Sequence, residues 1–325
     1  MIRTANKRNQ DAKNQPDIQK LFGEIWQSGE LSFAFADTGI GKSIFSVQLA
    51  DCLSKGSSVT PYTKNESEPL IVLYHDYELS DRQFYKRYSE ENGSVYRFSD
   101  NFFIDNIDFA ELYSKNPGKT FTEILFSKIR EDIEKTNTKV FIVDNITFLH
   151  TQSTQDQQAS LDIMRHLTDL KKEFNLSILV LAHTPKKSEN TPITISDLSG
   201  SKHLSNFADS VFCIGKSCKG TNRRYLKQIK PSRSSEMIYD SHNVIEFSLE
   251  KKNNFLGFYF EGFGNEFENI NMSENDDPKL QAIHLKNTDP TLSLKEIADK
   301  IGKPKSTVKY WLDNGTKRNH VGEIK

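Results

Sequence analysis

Short, continuous apolar runs recur along the first two thirds of the chain, at 31–36, 70–74, 102–104, 140–143, 178–182 and 211–214, most of them separated by longer stretches of helical pattern. A strand that is half-buried alternates apolar and polar residues. These runs are rich in β-branched and aromatic residues and carry almost no polar face, so both of their faces must be covered. Strands of this kind alternating with helices predict an α/β fold around a mostly parallel central sheet. After position 224 the pattern changes. Runs at 225–229, 244–249 and 255–260 are joined by short polar turns, which predicts an antiparallel extension.

The length of 325 residues suggests two domains, and composition locates the division. Residues 1–16 are rich in Asn, Lys and Gln and are expected to be disordered; 17–263 form the α/β domain. Residues 264–278 are acidic, Asn-rich and poor in large apolar groups, the profile of a linker to a helical unit at 279–325. Lys and Arg total 43 against 44 Asp and Glu, which excludes a globally basic nucleic-acid coat but not a local basic patch. The start of the chain has no apolar signal region, and Ser177-Ile-Leu-Val-Leu-Ala182 is far too short to span a bilayer. The cysteines Cys52, Cys213 and Cys218 lack metal-ligand spacing and read as reduced thiols, so a cytoplasmic protein with no membrane contact is expected.

Ala36-Asp-Thr-Gly-Ile-Gly-Lys-Ser43 follows the first run and precedes a helical pattern over 44–53. Small residues let backbone N–H groups curl around a phosphate, and a helix N-terminus adds partial positive charge. Lys42 supplies a point charge for the β- and γ-phosphates, and Ser43 a hydroxyl for Mg²⁺. Asp37, Thr38, Gly39, Ile40, Gly41, Lys42 and Ser43 are therefore the expected nucleotide-binding residues, with ATP and Mg²⁺ as ligands. The pattern G-x-x-x-x-G-K-[ST] is met except at its first position, where Ala36 replaces Gly. Further on, Lys139-Val-Phe-Ile-Val-Asp144 is an apolar strand that ends in an acid. Ligands of parallel sheets bind at the carboxyl ends of strands, so Asp144 is expected to share the Mg²⁺ with Ser43.

In this order the motifs resemble the RecA-like ATPases, and within them the hexameric replicative helicases of the DnaB type and the smaller plasmid RepA type. The resemblance spans about 21–261. It implies a RecA-like P-loop NTPase core, ATP hydrolysis, and a homo-oligomer, a hexameric ring with single-stranded DNA in its pore. His75-Asp-Tyr-Glu-Leu-Ser80 is similar to the family's strand end with a catalytic Glu, which implies that Glu78 polarises the attacking water. Asp144 is followed by Asn145 rather than Glu, as in the RecA-like arrangement, where the base comes from the earlier strand. His183 falls where the family carries a Gln or His that senses the γ-phosphate. Residues 150–157 and 185–199 match the two central-channel loops, the second bringing Lys186 and Lys187 to a DNA backbone. Lys230 and Arg233 fall where ring-forming members reach a neighbour's γ-phosphate. Their spacing is Lys-x-x-Arg, not the tighter Lys-x-Arg of the DnaB type, and Arg223 and Arg224 stand as alternatives.

The sequence from Leu292 to Leu312 reads as helix–turn–helix, a small all-α domain. Ser293 and Glu296 form a capping box, Gly302 permits the turn, and Ile297, Ala298, Ile301, Val308, Trp311 and Leu312 give an apolar interior. The unit resembles bacterial helix-turn-helix modules. Lys305, Ser306 and Lys309 then lie at the exposed start of the second helix, as expected of a duplex-DNA contact. The whole reads as an ATP-hydrolysing motor acting on DNA, most like a small replicative or mobilisation helicase of a plasmid or mobile element. An ATP-controlled DNA-binding regulator or recruitment factor without unwinding activity is the alternative.

Overall fold

The computed structural model describes residues 2–107, 109–146, 156–184, 191–198, 201–270 and 278–315. In chain order the elements are α1 (Ala5–Lys13), β1 (Lys20–Phe22), β2 (Trp26–Gln27), β3 (Leu31–Ala36), α2 (Lys42–Lys55), β4 (Val72–Asp76), α3 (Asp81–Arg87), β5 (Phe102–Asp105), α4 (Phe109–Lys115), α5 (Phe121–Thr136), β6 (Val140–Asp144) and α6 (Asp156–Phe174). They continue with β7 (Ser177–His183), a 3₁₀ turn (Ile195–Asp197), α7 (Ser201–Phe207), β8 (Ser210–Lys216), β9 (Arg223–Lys230), β10 (Val244–Lys252), β11 (Phe255–Gly264), α8 (Glu266–Asn269), α9 (Pro278–Thr288), α10 (Leu294–Ile301) and α11 (Lys305–Gly315).

A nine-stranded sheet has the order β11-β10-β9-β8-β3-β7-β6-β4-β5. From β8 to β5 all neighbours are parallel, and β9, β10 and β11 extend the sheet antiparallel, as the sequence implies. The burial of β3 explains its unbroken apolar run. Leu31, Phe33 and Phe35 enter a core shared with α5 and α6, while Ala34 and Ala36 enter a second core shared with α2, β10 and β11. The one polar residue, Ser32, is buried and accepts a hydrogen bond from the Ser210 hydroxyl at 2.9 Å.

The second core fixes the helix that follows β3. Phe45 of α2 sits among Phe22, Phe212, Phe247 and Phe258, with ring centroids 5.3–6.2 Å away. The Gln48 amide donates to the Phe258 carbonyl at 2.9 Å and accepts from its N–H at 2.7 Å. The antiparallel extension thus grips α2.

Two expectations change. The polar lead, expected to be disordered, is helical over Ala5–Lys13. Thr4 caps it by accepting from Lys7 N–H, and Asp11 pairs with Arg3 and Lys7, although no residue of this helix is buried. The expected linker at 264–278 opens as packed structure. Glu266, Phe267, Asn269 and Ile270 are buried, because the Glu266 carboxylate receives the buried Lys227 ammonium. Residues 271–277 lie outside the described residues.

Helices α9, α10 and α11 enclose a small core of Ala282, Ile297, Ala298 and Val308. Ser293 and Glu296 form the predicted capping box, and Gly302 closes α10 at φ 64°. No described helix is long and apolar enough to cross a membrane.

Candidate nucleotide site

Strand register gathers the predicted residues at one end of the sheet. Ala36 at the end of β3 lies level with His183 at the end of β7, and Asp76 of β4 lies level with Asp144 of β6. Between β3 and α2, Gly39 and Gly41 take left-handed φ of 77° and 106°. A Cβ on Gly41 would come within 3.1 Å of Leu249 and Phe258, so the close approach of β10 and β11 also demands glycine there. No side chain caps α2 at Gly41. Its first-turn N–H groups are left for an anion.

Lys42 is 6% exposed, and burial lowers its pKa, opposed by the charges of Asp144, Glu78 and Asp37. Its ammonium lies 3.2 Å from His183 Nδ1. An ammonium can only donate, so Nδ1 accepts and the imidazole proton sits on Nε2. Nε2 faces the Glu78 carboxylate at 3.7 Å. The Asn145 amide nitrogen lies 3.1 Å from Nε2 and donates to Glu78 at 2.6 Å. The His183 ring 3.7 Å away holds Glu78 below the usual carboxylate range, with the Asn145 hydrogen bond acting in the same direction and burial opposing both. Glu78 is therefore ionised at neutral pH, as a general base must be. Asp76 shapes the turn beneath it, accepting from the N–H groups of Glu78 and Leu79, both at 2.9 Å. Burial pushes Asp76 up to about 6.

Asp144 is 1% exposed, and one of its oxygens accepts from the Tyr74 hydroxyl at 2.6 Å. Burial raises its pKa, while hydrogen bonding to Ser43 and Tyr74 and the charge of Lys42 act against that shift. The other oxygen, Oδ1, is buried without a hydrogen-bond partner. A buried carboxylate oxygen left unsatisfied beside a serine hydroxyl fits a hard divalent cation such as Mg²⁺.

Asp37 to Ser43, Glu78, Asp144 and His183 thus form one site. Lys230 and Arg233 do not join it within the chain. Lys230 lies level with Val211 of β8 and so with Phe33 of β3, and the Arg233 N–H donates to the Glu30 carboxylate just before β3. There Lys230 donates to the carbonyls of Ser205 and Ala208 at the end of α7, and Arg233 pairs with Asp209 at 2.7 Å. Lys186 and Lys187 lie outside the described residues. Lys305, Ser306 and Lys309 are exposed on the first turns of α11. Sequence reasoning missed the part of Tyr74 and Asp76, whose types in an apolar strand carry no signal until β4 and β6 are paired. A cavity of about 360 Å³ adjoins the loop, walled by Asp37, Ile40, Thr184, Gly215, Tyr225 and Ile270.

The sequence profile of the AAA domain family matches residues 3–189, more than half of the chain and all of this site. The chain belongs to the AAA domain family. Among solved structures, this AAA domain protein is similar to a KaiC-like protein from the hyperthermophilic archaeon Pyrococcus horikoshii OT3, at 15% identity and a TM-score of 0.49, over 75% of this chain and 100% of that one. With its phosphate loop at the end of a mostly parallel sheet, the AAA domain protein is a P-loop ATPase.

Proposed function

We propose that this ATPase is a motor acting on DNA, most like a small replicative or mobilisation helicase of a plasmid or mobile element. One observation carries the reading: His183, at the end of β7, lies against both Lys42 and Glu78. An incoming γ-phosphate competes for Lys42 and His183 together. The nucleotide state is thereby felt where the chain leaves β7 toward Lys186 and Lys187, the proposed contacts to single-stranded DNA.

In the proposed reaction Glu78 accepts a proton from the attacking water while Lys42 steadies the developing charge. Ser43 and Asp144 would hold Mg²⁺, which would supply neutralisation of the phosphate oxygens. The cavity beside Asp37 and Ile40 takes the base and ribose, its volume lying in the range of small-ligand sites. Lys230 and Arg233 serve the site of a neighbouring copy in a hexameric ring, since within the chain their partners are the Ser205 and Ala208 carbonyls and Asp209 rather than the phosphate loop. The exposed Lys305, Ser306 and Lys309 contact duplex DNA, aided by six basic against two acidic residues over 303–325, a local charge of +4.

Strand displacement on a forked DNA tests this reading. Wild type with ATP and Mg²⁺ should release the strand, and Glu78→Gln should not. ATP-dependent binding to the fork without displacement by wild type would instead establish a regulator or recruitment factor.

A further inference from the structure

Arg224 stands on β9 and is 7% exposed. Two other cations of that strand have carboxylate partners: Arg223 pairs with Glu261 at 2.8 Å, and Lys227 with Glu266. Among the described residues no carboxylate pairs with Arg224, and burial lowers its pKa with nothing opposing. A buried cation without an anion is costly, so what the guanidinium touches matters. Nη1 donates to the carbonyls of Thr221 and Arg223 at 2.9 and 2.7 Å. Nε donates to the carbonyl of Ile40 at 2.8 Å, across 184 positions of sequence.

Ile40 lies between the two left-handed glycines of the phosphate loop. The Ile40–Gly41 peptide turns over by a coupled change of Ile40 ψ and Gly41 φ, and glycine leaves that φ free. A trans peptide is planar, with its C=O and N–H pointing in opposite directions. Holding the Ile40 carbonyl toward β9 therefore aims the Gly41 N–H the other way, into the loop. We propose that Arg224 is a positioning residue for the nucleotide: it locks the Ile40–Gly41 peptide so that the Gly41 N–H meets the phosphates before they arrive. The triphosphate is also the anion that this part of the protein lacks. This deepens the ATP-site reading and rests on it.

The test compares full-length wild type, Arg224→Gln and Arg224→Lys in steady-state ATP hydrolysis, in titrations with a fluorescent ATP analogue, and in thermal melts. Gln loses the charge and the fork; Lys keeps the charge but only a point donor. A hydrogen bond from a charged group corresponds to a change of about 10–100-fold, so KM and the analogue's Kd should rise by that factor in Arg224→Gln. Its kcat should fall by less than about threefold, because the contact is equally present in ground and transition states. Arg224→Lys should fall between the two, and it carries the comparison alone if Arg224→Gln does not fold. Wild-type KM in both variants would overturn the proposal. So would a fall in kcat and melting temperature together at unchanged KM, the mark of a merely structural residue. Wild type that binds no nucleotide would overturn the ATPase reading and this proposal together; equal binding by all three proteins would overturn this proposal alone.

Discussion

Glu78→Gln lowers kcat for ATP hydrolysis by about 10²–10⁴-fold, the range supplied by a positioned general base, while ATP still binds. Gln keeps the shape and can still accept from the Asn145 amide, which donates to Glu78 at 2.6 Å in wild type. It cannot take a proton from water. Glu78 is the right group for the role because the nearby His183 ring, with the Asn145 hydrogen bond helping, favours its charged form. Half of its side chain faces solvent, with 46% exposed, so a water has access to it. Rapid-mix single-turnover hydrolysis with Mg²⁺, set beside binding of a non-hydrolysed analogue, separates the two effects. A loss of binding equal to the loss of rate would assign Glu78 to holding nucleotide rather than to activating water.

Glu266→Ala destabilises the fold by about 3–5 kcal/mol, the cost of leaving a buried partner charge uncompensated. Glu266 is fully buried and accepts from the Ile193 N–H at 2.8 Å, the Ser241 hydroxyl at 2.8 Å and the Tyr225 hydroxyl at 3.2 Å, as well as from the Lys227 ammonium. Truncation removes the acceptor of all four and leaves the buried Lys227 ammonium without its carboxylate. The contrast is Asp162→Ala, which breaks the Arg165–Asp162 pair at 3.0 Å, where the side chains are 60% and 45% exposed. That change should cost less than about 1 kcal/mol. Denaturant melts of the two variants decide the matter: a Glu266→Ala midpoint as close to wild type as that of Asp162→Ala would refute the buried-pair account.

The same pair shows why sequence reading reached only so far. Strands buried on both faces announce themselves locally, because every residue of β3 or β6 must be apolar or privately paired. The phosphate loop is equally local, since its glycines, Lys42 and Ser43 are contiguous. The capping box of Ser293 and Glu296 needs only three residues of separation. Glu266 and Asn269 belong to a segment that composition marks as a polar linker, yet they are buried. Their justification lies on β9 and β10, in Lys227 and in Glu246, which accepts from the Asn269 amide at 2.6 Å. Arg224 is hidden in the same way: a basic residue near two others on a strand says nothing until β9 is seen against the phosphate loop. The helix over Ala5–Lys13 was illegible for the opposite reason. It buries nothing, so no apolar period marks it.

The loop from Ala36 to Ser43 is proposed to hold the phosphates of ATP through Lys42 for hydrolysis. Phosphate release from ATP with Mg²⁺, by purified wild type and by Lys42→Ala, measures it directly. The expected result is sustained turnover by wild type and a rate at background for Lys42→Ala, whose melting temperature stays near that of wild type. Equal rates in the two proteins would contradict the claim.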